Sequence, residues 1–152
     1  MLRETLNQAL KDAMKAKDAR RIATLRLILA ALKDRDIAAR TSGDDRTGIP
    51  DADILSMLQT MVRQRRESIA AYQQGGRQDL AEQEKEEIAI IESFLPQQLS
   101  EAEVEAAAKA AIAEVGAQGI KDMGKAMGVL KAKYAGQMDF AKAAAVLKGL
   151  LS

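Results

Sequence analysis

The residues best suited to binding chemistry lie near the end of the chain, between residues 120 and 137. Gly124 and Gly128 stand four residues apart inside a predicted helix, and lysines flank them. A glycine inside a helix costs about 1 kcal/mol relative to alanine, so two of them in one turn indicate that something approaches the backbone closely. The lysines make a phosphate backbone one candidate, and a closely packed neighbouring helix is the other.

Helical spacing predicts which side of this segment is buried, because apolar residues recur at intervals of three and four. The predicted apolar stripe consists of Ile120, Met123, Met127, Leu130 and Tyr134. The glycines are expected on the surface beside this stripe. The candidate RNA-binding residues are Lys121, Gly124, Lys125, Gly128, Lys131, Lys133, Gly136 and Lys142.

The charge of the chain is concentrated in the same region. Residues 119–152 carry six lysines and two aspartates, a balance of +4, whereas the whole chain has a net charge of only +1. A local basic surface on a nearly neutral protein can steer an anionic ligand to one face. Only 3% of the residues are aromatic, so stacking on single-stranded bases is disfavoured. An RNA contact here would read the backbone and the folded shape.

A second constellation combines one arginine with two glutamates. Arg65 falls in the middle of the apolar stripe of a predicted helix, where its permanent charge requires a partner or a wet surface. Glu84 and Glu87 share a face with apolar residues on the next predicted helix. The preferred hypothesis is a structural ion pair of Arg65 with these glutamates between antiparallel helices. An anion-binding arginine is the alternative.

The composition argues against catalysis. The chain contains no histidine and no cysteine, so the commonest general base, the commonest transition-metal ligand and thiolate chemistry are all missing. The glycines form neither a dinucleotide-binding nor a nucleotide-binding pattern, and no serine-nucleophile motif occurs. We therefore predict a non-catalytic protein without a cofactor or a metal site.

The elements that must position these residues are all helices. Good helix formers dominate the composition, and only two prolines interrupt it. Predicted helices cover about residues 2–16, 18–40, 51–75, 78–95, 100–115, 120–135 and 139–151, with a loop at 41–50. Asp18, the Ser100–Glu103 capping box and Asp139 are the predicted N-terminal caps.

The expected fold class is all-α with two parts. A break at Pro96 separates an N-terminal bundle of about four helices, residues 1–95, from a C-terminal three-helix bundle, residues 96–152. No apolar stretch approaches the roughly 20 residues that span a bilayer. The amphipathic, charged N-terminus is unlike a secretory signal. We expect a cytoplasmic protein without membrane association.

Three segments resemble the GatB/YqeY family, specifically its small stand-alone YqeY-like members, over nearly the whole chain. They are LKDAMKAKDARRIATLRLILAALK at 10–33, RQRRESIAAYQQGGRQDLAEQEKEEIAIIESFLPQQLSEAEVE at 63–105 and KDMGKAMGVLKAKYAGQMDFAKAAAVLKGLL at 121–151. The middle segment is the most specific, because it combines arginines, paired glycines, an acidic run and Leu-Pro in one order. The resemblance implies a helical N-terminal bundle followed by a three-helix unit.

The last segment is also similar to the tail domain of the B subunit of tRNA-dependent amidotransferases, which helps to hold tRNA. Similar modules are attached to some glutaminyl-tRNA synthetases. The resemblance carries over onto Met123, Gly124, Lys125, Met127, Gly128, Lys131 and Gly136. Alanines at 141 and 143–145 depart from the pattern and thin the basic surface. The family name also implies glutamine-dependent carbon–nitrogen ligase activity, which this chain, lacking the catalytic residues, could support only within a complex.

The sequence therefore predicts a non-catalytic, tRNA-binding accessory module. The alternative is a protein–protein adaptor whose N-terminal bundle docks an aminoacyl-tRNA synthetase or another enzyme. A third hypothesis is a subunit that assists an amidotransferase within a complex.

Overall fold

The computed structural model describes residues 1–41, 43 and 48–152, and every regular element in these ranges is helical. The predicted all-α class is confirmed. Half of the predicted loop at 41–50 (residues 42 and 44–47) lies outside the described residues. The helices are α1 (Leu2–Ala16), α2 (Ala19–Thr41), α3 (Asp51–Gln74), α4 (Gln78–Glu92), α5 (Glu101–Val115), α6 (Met123–Lys133) and α7 (Phe140–Leu151), and a 3₁₀ turn (Ile120–Asp122) leads into α6.

Side-chain caps fix where several helices begin. The Ser100 hydroxyl accepts a hydrogen bond from the Glu103 backbone N–H at 3.1 Å, and the Glu103 carboxylate accepts one from Ser100 N–H at 2.9 Å. Asp139 accepts from Ala141 N–H at 2.9 Å at the start of α7. Asp18 accepts from Arg21 N–H at 3.2 Å before α2. These caps supply acceptors for N–H groups that have no partner inside the helix.

Residues 1–95 form a compact unit of four helices, α1 to α4. All four helices contribute fully buried side chains, among them Leu6, Leu25, Ile28, Ile54, Leu58 and Ile91. The turn between α3 and α4 uses Gly76 in the left-handed region, with φ of 73°. α4 ends at Glu92, three residues earlier than predicted, and Leu95 N–H closes a tighter turn onto the Glu92 carbonyl at 3.0 Å. Pro96 disfavours the helical region for Leu95, so a helix could not continue past this point.

Residues 96–152 form a second compact unit of three helices, α5 to α7. Its core is rich in alanine, which lets helix backbones approach one another closely: Ala108, Ala111, Ala126, Leu130, Ala143 and Leu147 are all at most 1% exposed. The segment entering α5 is tied to the turn between α6 and α7. Leu99 N–H donates to the Gln137 carbonyl at 2.8 Å, and the Gln98 side-chain amide donates to the Gly136 carbonyl at 2.7 Å.

Candidate nucleic-acid interface

The core contacts of α6 determine which of its residues face outward. Ala126 and Leu130 are fully buried, and Met123, Met127 and Tyr134 pack partly buried against the same cluster. Ile120 was predicted to join this stripe, but it is 48% exposed. Residues 120–122 form a 3₁₀ turn with about three residues per turn, so the helical phase of α6 does not extend back to Ile120.

Gly124 and Gly128 lie on the exposed surface of α6, beyond the edge of the apolar stripe. An α-helix turns about 100° per residue, which places both glycines on the opposite side of the helix from Ala126. Both are exposed. A Cβ atom added at either position would meet no described atom within 4 Å apart from its own stretch of helix backbone. In the part of the chain that the structure describes, the glycines therefore serve no close helix packing.

Three of the predicted lysines are presented with the glycines. Lys125 and Lys131 are exposed on α6, and Lys121 is exposed on the turn that leads into it. No acidic side chain among the described residues forms an ion pair with any of the three. We call the surface formed by Lys121, Gly124, Lys125, Gly128 and Lys131 the α6 outer face. It combines open backbone with three available cations.

Two other predicted residues have structural partners, and a third lies on a different helix. Lys133 Nζ lies 2.8 Å from a carboxylate oxygen of Glu114 on α5, and this hydrogen bond raises the pKa of Lys133. Lys133 also lies half a turn away from Gly124 around α6. Gly136 is buried in the turn after α6, with φ of 77°. Lys142 is exposed on α7.

The helix N-termini of this unit do not offer additional anion sites. Asp139 already accepts the N–H of Ala141 at the start of α7, and Ser100 with Glu103 closes the start of α5. Asp122, just before α6, accepts the N–H of Gln118 at 3.0 Å. Carboxylates cap α5 and α7, and the Asp122 carboxylate lies just before α6, so a phosphate would meet like charge near each terminus. The exposed lysines of the α6 outer face offer an anion a site away from these carboxylates.

Arg65 connects α3 to α4. Its Nε donates to a Glu87 carboxylate oxygen at 3.0 Å and lies 3.8 Å from a Glu84 oxygen, while its Nη1 donates to the Met61 carbonyl at 3.2 Å. Burial raises the pKa of Glu84, and the neighbouring Glu87 charge raises it further. With two guanidinium nitrogens bound inside the chain, the arrangement is that of a helix–helix ion pair.

A further charged cluster was missed by the sequence analysis. Arg3 on α1 donates to both carboxylate oxygens of Asp36 on α2, at 2.6 and 3.1 Å, and its Nη2 also donates to the Ile49 carbonyl at 3.2 Å. Asp36 in turn accepts the Ile49 N–H at 2.9 Å. The available signal was that Asp36 follows Leu32 by four residues, on the apolar side of α2. The cluster joins two helices to the segment before α3 and is structural.

Two further properties concern metals and membranes. Among the described residues, His, Cys, Asp and Glu side chains form no group of three that could hold a metal ion. None of the helices in the described ranges combines the length and the apolar character that crossing a membrane requires. The cytoplasmic location stays a prediction.

Comparison with known proteins identifies relatives of this chain. It is 36% identical over 90 residues to "Altered inheritance of mitochondria protein 41, mitochondrial" of Eremothecium gossypii, covering 59% of this chain and 46% of the relative. The protein of the same name from Lachancea thermotolerans is 36% identical over 103 residues, covering 66% of this chain and 52% of the relative. The matched region spans about half the length of these relatives, whose names place them in mitochondria. The model of the family described as "Yqey-like protein" matches residues 3–151. Because that match covers nearly the whole chain, the chain belongs to the YqeY-like family.

Proposed function

We propose that this chain is a non-catalytic accessory module that binds tRNA through the α6 outer face. The observation that carries the proposal is the position of Gly124 and Gly128. Both face away from the core, no described atom outside the helix backbone would obstruct a side chain there, and the lysines beside them form no ion pair with a described residue. Glycine is unfavourable in a helix, so an open glycine pair is best explained by a ligand from outside the chain.

The chemistry of the face fits a phosphate backbone. Lys121, Lys125 and Lys131 supply positive charge, while the glycines between them leave no side chain to hold a phosphate ridge away from the helix. Lysine binds phosphate as a point charge and tolerates varied geometry. The face contains no aromatic residue on which bases could stack. Binding of this kind reads the backbone and the shape of a folded RNA.

We propose tRNA, rather than another RNA, because of a sequence resemblance. The segment at 121–151, which contains the α6 outer face, is similar to the tail domain of the tRNA-dependent amidotransferase B subunit. Any amidotransfer chemistry would need catalytic residues from another chain. We propose no cofactor and no reaction for this protein. A synthetase or amidotransferase subunit is a proposed partner only as another protein that binds the same tRNA.

The test measures binding of bulk tRNA to the purified chain by fluorescence anisotropy across a salt series. Three phosphate contacts predict a slope of log K against log salt of about −2 to −3, from roughly 0.7–0.9 per contact. The variant Lys121→Ala/Lys125→Ala/Lys131→Ala should lose most of the affinity and most of the slope.

The matched control removes three exposed lysines from the first unit, Lys11→Ala/Lys15→Ala/Lys85→Ala, so that both variants have the same net charge. We expect this control to bind nearly as the parent chain does. Equal losses in the two variants would show that overall charge, and not the α6 outer face, attracts the RNA. Absence of binding by the parent chain at low salt would contradict the proposal directly.

A further inference from the structure

The outward side of α2 carries an exposed apolar stripe that no described part of the chain covers. Leu27 and Ile37 are each 48% exposed, and Ala23 and Ala30 are exposed beside them. Their spacing of three, four and seven residues places them along one side of α2. The core of the unit contacts α2 on the opposite side, through Leu25, Ile28 and Leu32. We call the outward residues Ala23, Leu27, Ala30 and Ile37 the α2 stripe.

Basic side chains border the α2 stripe on both edges. Arg26, Lys33 and Arg40 recur every seven residues along one edge, and Arg35 lies on the other. All four are exposed, and none forms an ion pair with a described residue. The one acidic side chain among the exposed residues of α2 is Asp34, which lies within the stripe. Apolar residues with charged edges at heptad spacing are the pattern by which one helix binds another.

We propose that the α2 stripe binds an amphipathic helix of a partner protein whose edges are acidic. Such a helix would cover Leu27 and Ile37 with its own apolar residues and place carboxylates opposite Arg26, Lys33 and Arg35. Asp34 within the stripe requires a basic or amide side chain opposite it, which fixes the register of the pair. The proposal is independent of RNA binding by the α6 outer face.

Charge complementarity decides between this occupant and two others. In a second copy of the chain, basic edges would face basic edges whether the two helices ran parallel or antiparallel, and like charges repel. RNA would satisfy the basic edges but would leave Leu27 and Ile37 against phosphates, which offer them no apolar contact. A helix with apolar and acidic faces matches both features of the surface.

The experiment uses the full chain and two synthetic helical peptides of 21 residues as probes, with binding measured by fluorescence anisotropy at low salt. Both peptides carry leucines at heptad a and d positions, with one lysine placed to meet Asp34. One peptide has glutamate at its edge positions, and the other has lysine. We expect the acidic-edged peptide to bind at least about tenfold more tightly, as several exposed ion pairs together would give.

Two variants separate the charge from the apolar contribution. Arg26→Glu/Lys33→Glu/Arg35→Glu should reverse the preference between the peptides. Arg40 is left in place because its charge helps keep the pKa of Asp36 low. Leu27→Ser/Ile37→Ser should abolish binding, whereas Met14→Ser should leave it unchanged. Met14 is the matched control because it is also 48% exposed but lies on α1.

Several results would overturn the proposal. Equal binding of the two peptides, or no reversal by the charge variant while circular dichroism shows it folded, would remove the acidic-edged helix as the occupant. A dimer in sedimentation that Leu27→Ser/Ile37→Ser dissociates would assign the stripe to a second copy of the chain. If the charge-reversed variant lost tRNA binding while Leu27→Ser/Ile37→Ser bound tRNA as the parent chain does, the basic edges would be assigned to RNA.

Discussion

The glycines of α6 lower the stability of the helix, and we propose that they favour RNA binding. Gly128 lies inside the helix, its φ is not in the left-handed region, and a Cβ atom there would meet no described atom. Gly128→Ala should therefore raise the free energy of unfolding by about 0.5–1 kcal/mol through helix propensity. The same methyl group would stand where the proposed phosphate approaches, so tRNA affinity should fall. Denaturant unfolding and anisotropy measure the two effects.

If Gly128→Ala raises the free energy of unfolding and lowers tRNA affinity, Gly128 lies at the surface that binds RNA. A variant that becomes more stable and binds tRNA with unchanged affinity would show that the phosphates do not approach Gly128. Gly149→Ala on α7 is the matched control, since a Cβ atom there also meets nothing within 4 Å. We expect it to leave tRNA binding unchanged.

Lys131 and Lys133 lie two positions apart on α6, but their charges have different partners. Lys131 is exposed on the α6 outer face, whereas Lys133 holds Glu114 at 2.8 Å. Lys131→Ala should make the salt slope of tRNA binding shallower by about 0.7–0.9, the contribution of one phosphate contact. Lys133→Ala should leave that slope nearly unchanged. Equal effects of the two substitutions would place the RNA contact off the α6 outer face.

At the scale of elements, the α3–α4 pair contains a charge that the fold disfavours. The pKa of Glu84 is raised by burial and by the nearby Glu87 carboxylate. A carboxyl group whose pKa is higher in the folded than in the unfolded chain destabilises the fold above that pKa. The penalty disappears as the pH falls toward the unfolded value of about 4.5. The ionised Asp36 carboxylate instead stabilises the fold, because the hydrogen bond from Arg3 lowers its pKa, and this stabilisation is lost as the pH falls through that lowered pKa.

Glu84→Gln removes the disfavoured charge and leaves the bond between Arg65 and Glu87 in place. We expect the variant to be more stable than the parent chain at pH 7, with a difference that shrinks as the pH approaches 4.5. Urea unfolding at several pH values measures this difference. A variant that is less stable at pH 7 would show that Glu84 contributes more as a partner of Arg65, 3.8 Å away, than it costs as a buried charge.

Local signals explain why the elements could be predicted from the sequence. The capping box of Ser100 and Glu103 forms as expected, and so do the caps at Asp18 and Asp139, because each depends on residues within three positions. The outward turn of Ile120 could not be predicted by extending one helical period, since the 3₁₀ turn changes the phase. The burial of Asp36 depended on Arg3, which lies 33 residues away in the sequence and close only in the fold.

At the scale of the whole molecule, two compact units have separate cores. Residues 1–95 bury large aliphatic side chains, whereas residues 96–152 bury mainly alanines. The all-helical class and the family were both predicted from the sequence and confirmed. The buried stripe of α6 follows the predicted spacing at Met123, Met127, Leu130 and Tyr134 and departs from it at Ile120, which the 3₁₀ turn exposes. RNA binding stays a prediction that only a measurement can test.

The placement of the α6 outer face within one unit leads to a prediction about fragments. Residues 96–152 contain their own core, and although domains of about 60 residues are marginal, many fold alone. We expect this fragment to show cooperative loss of helical circular dichroism on heating and to bind tRNA with the salt slope of the full chain. Residues 1–95 should bind no tRNA but should keep the preference of the α2 stripe for the acidic-edged peptide. If the fragment 96–152 is folded yet binds weakly and with a shallower slope, cations of the first unit must contact the same RNA. The α6 outer face would then be one part of a larger site.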